Sequence, residues 1–447
     1  LLKEIYLVNM AASADIAVNL TTSTVGIVSV IVFVVAYAFV MAEEVTHLRK
    51  SKPVILSAGI IWALIAFHFI GDKEMSHAVE AALRHGVLEY AELFLFLLVA
   101  MTYINSLDNR DVFNALRSWL TSKGFTYRQL FVITGVIAFF LSPIADNLTT
   151  ALVLCAVLLA VGKDNSKFIS IGCVNIVVAA NAGGAFSPFG DITTLMVWQK
   201  GILSFFDFFA IFIPSVVNYV IPAVIMYFFV PNEKPKSSGE KVVMRRGAIT
   251  IMVLFILTIA TAVSFHNFLT LPPMMGMMVG FGYLSLFAYY LKMTHGNSEL
   301  DASEKFDILR KVSKAEWDTL LFFFGIILSV GGLGFIGYLS MINNFMYVEL
   351  GATWANIIVG VLSAIIDNIP VMFAVLTMNP PMPDSQWLLV TLTAGVGGSM
   401  LSIGSAAGVA LMGQARGQYT FFGHLKWTPV IALGYVASIY THILINF

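Results

Sequence analysis

Ser142-Pro143-Ile144-Ala145-Asp146-Asn147-Leu148 recurs further along the chain as Ser363-Ala364-Ile365-Ile366-Asp367-Asn368-Ile369. Both stretches read S-x-I-x-D-N-[LI] and set a carboxylate and an amide inside hydrophobic sequence. A second pair follows at a similar distance. Gly183-Gly184-Ala185-Phe186-Ser187-Pro188-Phe189-Gly190-Asp191 aligns without gaps to Gly397-Gly398-Ser399-Met400-Leu401-Ser402-Ile403-Gly404-Ser405. The chain reads as a duplicated unit with polar, helix-breaking patches at matching positions. In a membrane protein such patches point to a small-solute or ion site near the bilayer midplane.

The composition is that of a membrane protein. Hydrophobic residues make up 58% of the 447, charged residues 11%, and mean hydropathy is +0.86, whereas a soluble domain is about 25% charged. About ten windows are long enough to span a hydrocarbon core, which takes roughly 20 apolar residues. No basic block argues for nucleic acid. Cys155 and Cys173 sit in apolar runs and read as small core residues, not as a disulfide or metal pair. The wealth of Phe and Met reads as core and lipid-facing bulk, with no cofactor implied. Because the chain opens on Leu1, an upstream leader is expected to have been removed or left out.

The expected fold is all-α and polytopic, an inverted repeat of 1–230 and 248–447 joined by a polar linker at 231–247. In the first half, spans are expected at 24–42, 53–70 and 86–106. A hairpin-like pair follows at 128–161, broken at Ser142-Pro143, then an interrupted span at 167–199 and a full span at 207–230. The second half repeats the order: 248–265, 272–292, 317–340, a pair at 353–378 broken at Asp367 to Pro370, an interrupted span at 386–414, and a last span at 427–446. A second polar linker, Lys292 to Lys314, has room for a surface helix. The pairs have arms too short or too broken to cross comfortably and read as re-entrant hairpins with Asp-Asn at their tips. Each half then crosses five times, an odd number, so the halves run in opposite directions, with about ten transmembrane helices in all. Charge supports this: of 25 Lys and Arg, only Lys3, Lys73, Arg84 and Lys200 fall on one side, and the remaining 21 share the other. By the positive-inside rule the 21 face the cytoplasm and both termini lie outside. One hairpin then enters from each side, and their tips can meet near the middle.

Three aspartates carry the chemistry. An aspartate at mid-span costs about 2.5–3.5 kcal/mol on insertion scales, so its presence points to function. Asp146, Asp191 and Asp367 each lie beside a helix breaker: Pro143, Pro188 with Gly190, and Pro370. Breaking a helix frees carbonyl oxygens, tolerated only where they are buried in protein or line a wet cavity. Hard cations prefer such oxygens together with those of Asp, Asn, Ser and Thr. Asn147, Thr149, Thr150, Asn181, Ser187, Thr193, Thr194, Asn368, Ser402 and Ser405 supply many more. Helix capping and helix–helix glue are the plain alternative for any single hydroxyl, but they account poorly for all three aspartates. A desolvated carboxylate has a raised pKa and can carry a proton, then release it when a cation binds. Competition for one site then gives obligatory exchange. Asp191 is matched by Ser405 in the second half, so the first half is more negative, and Na⁺ is expected at Asp146, Asn147 and Asp191. Glu89 and Glu92 share a helical face near the outer end of the third span, where proton or ion access and a plain interfacial role are evenly matched. Glu43 and Glu44 read as interfacial, and His68 and His442 as packed between helices.

Four motifs in order, A-D-N-L-T-T at Ala145 to Thr150, F-G-D-I-T-T at Phe189 to Thr194, I-D-N-I-P at Ile366 to Pro370 and S-I-G-S-A-A-G at Ser402 to Gly408, resemble those of NhaD-type sodium/proton antiporters. That family lies in the wider ion-transporter superfamily, alongside sodium/dicarboxylate, citrate and arsenite carriers. The resemblance covers essentially the whole chain. It implies exchange of cytoplasmic Na⁺ or Li⁺ for external H⁺ in pH homeostasis and salt tolerance. It also implies two re-entrant hairpins meeting two unwound helices, a homodimer, and a transport domain moving against a scaffold. By that analogy the scaffold is about 24–126 and 248–340, and the mobile part about 127–230 and 353–447. Functional positions implied by the resemblance are Asp146, Asn147, Asn181, Asp191, Thr193, Thr194, Asn368, Ser402 and Ser405, with Glu92. Dicarboxylate relatives carry Ser-Asn-Thr at both hairpin tips, where this chain has Asp-Asn. The expected location is a bacterial inner membrane, ahead of a plastid envelope.

Two other readings compete. A Na⁺-coupled anion carrier would keep the fold and bind its anion at helix N-termini, but no Arg or Lys lies in the candidate site. An intramembrane aspartyl protease needs two facing aspartates sharing a proton. The Pro188-Phe189-Gly190-Asp191 turn departs from the G-x-G-D form of those enzymes, and an inverted repeat suits alternating access better than cleavage.

Overall fold

Long apolar runs in lipid must satisfy their own backbone polar groups, and this chain does so with helices. The structure, a computed structural model, describes residues 18–162, 165–235, 241–294 and 306–447, without the side chains of Glu44 and Val45. All regular elements among these residues are helical. The main helices are α1 (Thr24–Met41), α2 (Ser51–His68), α3 (Lys73–Asn109), α4 (Tyr127–Ala145), α5 (Asn147–Val161), α6 (Ser166–Gly184), α7 (Ile192–Gln199) and α8 (Phe212–Tyr227). They continue as α9 (Ala248–Leu269), α10 (Pro273–Met293), α11 (Trp317–Ile336), α12 (Ala352–Ser363), α13 (Asn368–Met378), α14 (Asp384–Gly397), α15 (Ala406–Gln414) and α16 (Thr428–Asn446). Among the described residues, ten helices are long and apolar enough to cross a membrane. The protein is a multi-pass membrane protein.

The spans fall close to the expected ones, with instructive differences. Helix α3 begins at Lys73, well before the expected 86, and runs for 37 residues; the polar start of an amphipathic helix hides its N-terminus from a hydropathy window. Helix α4 has 19 residues, enough by length alone to cross, and runs through Pro143 to break at Asp146 instead of at Ser142-Pro143. The second pair breaks between Ser363 and Asn368, and Pro370 lies inside the first turn of α13, where its missing N–H costs nothing. His68 is exposed at the end of α2 instead of packed between helices, because α2 stops there. His442 is buried and bonds Ser385 O at 2.9 Å. Cys155 and Cys173 are free and buried, as core residues are. In the second polar linker a short helix forms at Ile308–Val312, and 295–305 lie outside the described residues. So do 236–240 of the first linker, and Lys3 and Lys163.

The chain forms two compact units, each drawing on both halves of the sequence. The first takes in the described residues up to Leu97 with Glu316–Ala352 and Phe373–Pro381. Its core joins Ile61, Trp62 and Ile65 of α2 to Leu328, Leu333 and Ile336 of α11, and the buried Trp62 indole donates to Leu328 O at 2.8 Å. The second holds Leu98–Ala315, Thr353–Met372 and Met382–Phe447. It includes α9 and α10, which the expected division set with the scaffold. Here Tyr103 ties α9 to α10, accepting from the Thr258 hydroxyl and donating to Gly280 O at 2.7 Å.

The centre of the second unit is made of the two interrupted helices. Every residue from Ile171 to Gly184 in α6 and from Gln386 to Gly397 in α14 is buried, as expected for helices apolar on all sides. Gly183 and Gly397 make this packing possible. A Cβ on Gly183 would lie 2.1 Å from Phe139 O, and one on Gly397 would lie 2.1 Å from Gly360 O. Phe139 O is the carbonyl that loses its helical donor to Pro143. At the matching place in the second half Ala364 N turns instead to Val361 O. In both halves a glycine backbone therefore packs on a carbonyl at the end of the preceding pair's first arm.

Substituting Gly183 or Gly397 with Ala is expected to destabilise the purified protein by about 1–3 kcal/mol, as overpacking does. Ala at Gly59 or Gly282, where a Cβ meets nothing within 4 Å, should leave it unchanged or slightly stabilised. Thermal unfolding in detergent distinguishes the two pairs.

Candidate functional site

The site is built from chain breaks. Asp146 is at once the residue that ends α4 and the N-cap of α5. Its φ of 59° and ψ of 162° lie in a region that only glycine enters freely, at a cost of about 1–3 kcal/mol. Its side chain holds the new helix start: Oδ1 accepts from Thr149 N at 2.7 Å and Oδ2 from Thr149 Oγ1 at 3.0 Å. Two hydroxyls brace the break from either partner. Ser142 Oγ donates to Ala180 O at 2.6 Å, and Ser187 Oγ donates to Pro143 O at 3.0 Å. The latter carbonyl would bond the N–H of residue 147 if α4 continued.

Asp191 starts α7 after the unwound segment 185–191. It is 4% exposed. Oδ1 accepts from Thr193 N at 2.9 Å and Thr193 Oγ1 at 3.0 Å, the usual N-cap bonds. Oδ2 accepts from Asn147 Nδ2 at 3.0 Å and Asn368 Nδ2 at 3.1 Å. The amides that follow the two Asp residues of the repeated motif thus converge on one carboxylate. Asn147 Nδ2 also donates to Asn181 Oδ1 at 3.1 Å, and Asn181 Nδ2 donates to Ser399 Oγ at 2.9 Å. Every group bonded to Asp191 here is a neutral amide, hydroxyl or backbone N–H. A carboxylate accepts about four such bonds, so Asp191 is saturated with donors yet has no counter-charge among them.

Several contacts occur twice. Ser363 Oγ donates to Ala394 O at 2.7 Å as Ser142 does to Ala180 O. Ser405 caps α15 through Gly408 N at 3.3 Å as Asp191 caps α7.

Among the sequence-derived candidates, Asp191, Asn147, Asn181, Thr193 and Asn368 are joined by direct hydrogen bonds. Asp191 is within coulombic range of Asp146 and of Asp367, both half-buried. Thr150, Thr194 and Ser402 are buried with hydroxyls that bond no described residue, which leaves their oxygens available to another ligand. Ser405 is taken up in capping. Glu89 and Glu92 lie on α3 in the first unit, where Glu89 Oε1 sits 3.1 Å from His85 Nε2. Ser399 is the participant that residue-type reasoning passed over. Its signal is present in the gap-free alignment, where it stands opposite Ala185 and brings a hydroxyl to a place that has none in the first half.

A buried carboxylate among neutral oxygen and amide donors, at interrupted helices of a multi-pass protein, is the kind of site a membrane transporter carries. The comparisons narrow this. A family model described as Citrate transporter matches residues 16–395. The Na(+)/H(+) antiporter NhaD of Alkalimonas amylolytica is 57% identical over 98% of this chain and 94% of its own length. The Na(+)/H(+) antiporter NhaD of Vibrio cholerae is 54% identical over 96% of this chain and 94% of its own. Sodium/proton antiporter 1 of Arabidopsis thaliana is 32% identical over 98% and 73%. The chain belongs to the NhaD-type sodium/proton antiporter family, and is a transporter, not an enzyme.

Backbone strain at Asp146 yields a test. Asp146→Gly and Asp146→Ala both lose the carboxylate, but only glycine relieves the positive φ. The glycine variant is expected to be the more stable by about 1–3 kcal/mol in thermal unfolding; equal stabilities would mean the segment is unstrained.

Proposed function

We propose that this protein is a secondary active antiporter that exports Na⁺, or Li⁺, in exchange for H⁺. The observation that carries the reading is the Asp191 carboxylate, buried and bonded by amides from both Asp-Asn motifs without a cationic partner among its bonds. A charge in that setting is costly, and either an alkali ion or a proton removes the cost. Asp146 and Asp367 each interact electrostatically with Asp191, so a cation at Asp191 disfavours protons on all three. The two asparagines then have a second role. Each now donates its Nδ2 to Asp191; when Na⁺ enters, rotation of the amide presents Oδ1 to the ion, and Thr150, Thr194 and Ser402 offer further oxygens.

The repeated contacts support an inverted repeat: two hairpins (about 128–161 and 353–378) whose tips reach two broken helices, exposing one site to each side in turn. Elevator-like motion of the hairpins and broken helices against a scaffold, a homodimer, and a bacterial inner membrane location with both termini outside complete the proposal. The charge asymmetry of the loops supports the orientation. Glu89 and Glu92, in the other unit, are left for ion or proton access.

The description Citrate transporter favours a second reading, Na⁺-coupled transport of an anion. The donors at Asp191 weigh against it, since a buried carboxylate with neutral partners repels an anion. The names of the relatives over 50% identical are those of cation/proton antiporters.

In proteoliposomes with a pH dye, an imposed Na⁺ gradient is expected to drive proton movement somewhere between about pH 6 and 10, the span a shifted carboxylate covers. Asp191→Asn and Asp146→Asn should abolish it while the protein remains folded. Exchange retained in both variants would place the site elsewhere. Because H⁺ and Na⁺ compete, the apparent KM for Na⁺ should rise as pH falls, by up to about tenfold per unit for one proton. A pH-independent KM with a pH-dependent maximum rate would contradict competition.

A further inference from the structure

The Asp191 amide chain does not end at Ser399. His424 is fully buried in a short helix, Phe421–Leu425, just ahead of α16. Its Nε2 lies 2.8 Å from Ser399 O and its Nδ1 lies 2.7 Å from the Tyr419 hydroxyl. A backbone carbonyl can only accept, so Nε2 carries the hydrogen. Nδ1 then presents a lone pair, and the Tyr419 hydroxyl donates to it. Burial pushes the imidazole down to about 4, so this neutral arrangement holds throughout the neutral and alkaline range. Ser399 O is one of the carbonyls freed where α14 unwinds. Its neighbour Met400 O accepts from Thr428 Oγ1 at 2.6 Å.

The first half closes the same place differently. Ala185 stands where Ser399 does. The next residue, Phe186, is packed by the rings of Phe212 at 5.0 Å and Phe209 at 6.3 Å. One unwound segment is thus held by an apolar clamp, the other by hydrogen bonds from an imidazole and a threonine. The first segment ends at Asp191 itself, and the second reaches the site through Ser399 Oγ and the Asn181 amide. Fixing the Ser399 backbone fixes Oγ, Oγ fixes the Asn181 amide, and Asn181 fixes the amide of Asn147 against Asp191.

We infer that His424 is a positioning residue for the cation site: by holding Ser399 it sets the Asn181–Asn147 amide chain that faces Asp191. The inference rests on the reading of Asp191 as the cation carboxylate. His424 touches no transported ion, and its effect reaches the site through a single hydrogen-bonded path.

The test uses the full chain in proteoliposomes and reads the apparent KM for Na⁺ and the maximum rate of Na⁺-driven proton movement. His424→Phe keeps a ring but no donor. Ser399→Ala keeps the carbonyl that His424 holds but cuts the same path one bond further on, at Oγ, without touching the imidazole, so a folding defect in the first variant does not blunt the test. Each is expected to raise KM about tenfold, the effect of one lost buried hydrogen bond, with the maximum rate within about twofold. The double variant should be no worse than the worse single, because both break one path. His424→Gln, which can still offer an N–H to Ser399 O, should recover most of the affinity. Unchanged KM in both singles, or effects that multiply in the double, would overturn the role of His424. Wild-type liposomes run alongside separate this from the larger reading: no exchange there refutes the antiport assignment, and this inference with it.

Discussion

The structure turns on one buried carboxylate. Asp191 is held by four neutral donor groups, two at its own helix start and the asparagine amide of each repeated motif. Hydrogen bonds lower the cost of burying a charge but do not cancel it. In the proposed mechanism, that remaining cost lets the site hold a cation or a proton in turn and makes holding both unfavourable. The same interaction joins parts of the sequence that lie far apart, since Asn147 and Asn368 each follow a helix break and reach the site only because the chain is interrupted there.

Those interruptions must be stabilised by the protein itself, and they are. Pro143 withholds an N–H from Phe139 O, and the backbone of Gly183 packs on that oxygen. Ser187 takes over Pro143 O, while Ser142 and Ser363 donate to Ala180 O and Ala394 O. Asp146 accepts an unfavourable backbone conformation to start a helix where another ends. Small residues and hydroxyls thus do for the broken helices what regular turns do for intact ones. Because several of the freed carbonyls are paired by nearby hydroxyls or an imidazole, the breaks are compatible with a membrane interior.

Much of this was legible in the residues. The two S-x-I-x-D-N-[LI] stretches located both Asp-Asn breaks, and the Gly-Gly blocks located both unwound segments, because each depends on residue types with few other uses in apolar sequence. The exact break points were not legible. Proline suggested 142–143, but a helix can run through a proline when the carbonyl it would clash with is accommodated, and α4 ends at Asp146. The start of α3 escaped because its first turns are polar. His68 was misjudged because isolation in an apolar run does not say whether a helix continues past it. Ser399 was visible only as a hydroxyl opposite Ala185 in the repeat alignment, and His424 escaped because its bond to a backbone carbonyl is a tertiary contact that leaves no spacing in the sequence.

The central claim is that Na⁺ and H⁺ occupy the same carboxylate site in turn. Calorimetric Na⁺ titration of the detergent-purified protein, in buffers of different ionisation enthalpy, measures protons released per ion bound. The account predicts release on binding, rising toward one or more protons per Na⁺ as pH falls through the titration of the aspartates, and lost in Asp191→Asn. Sodium binding that releases no protons at any pH where the protein is folded would contradict it.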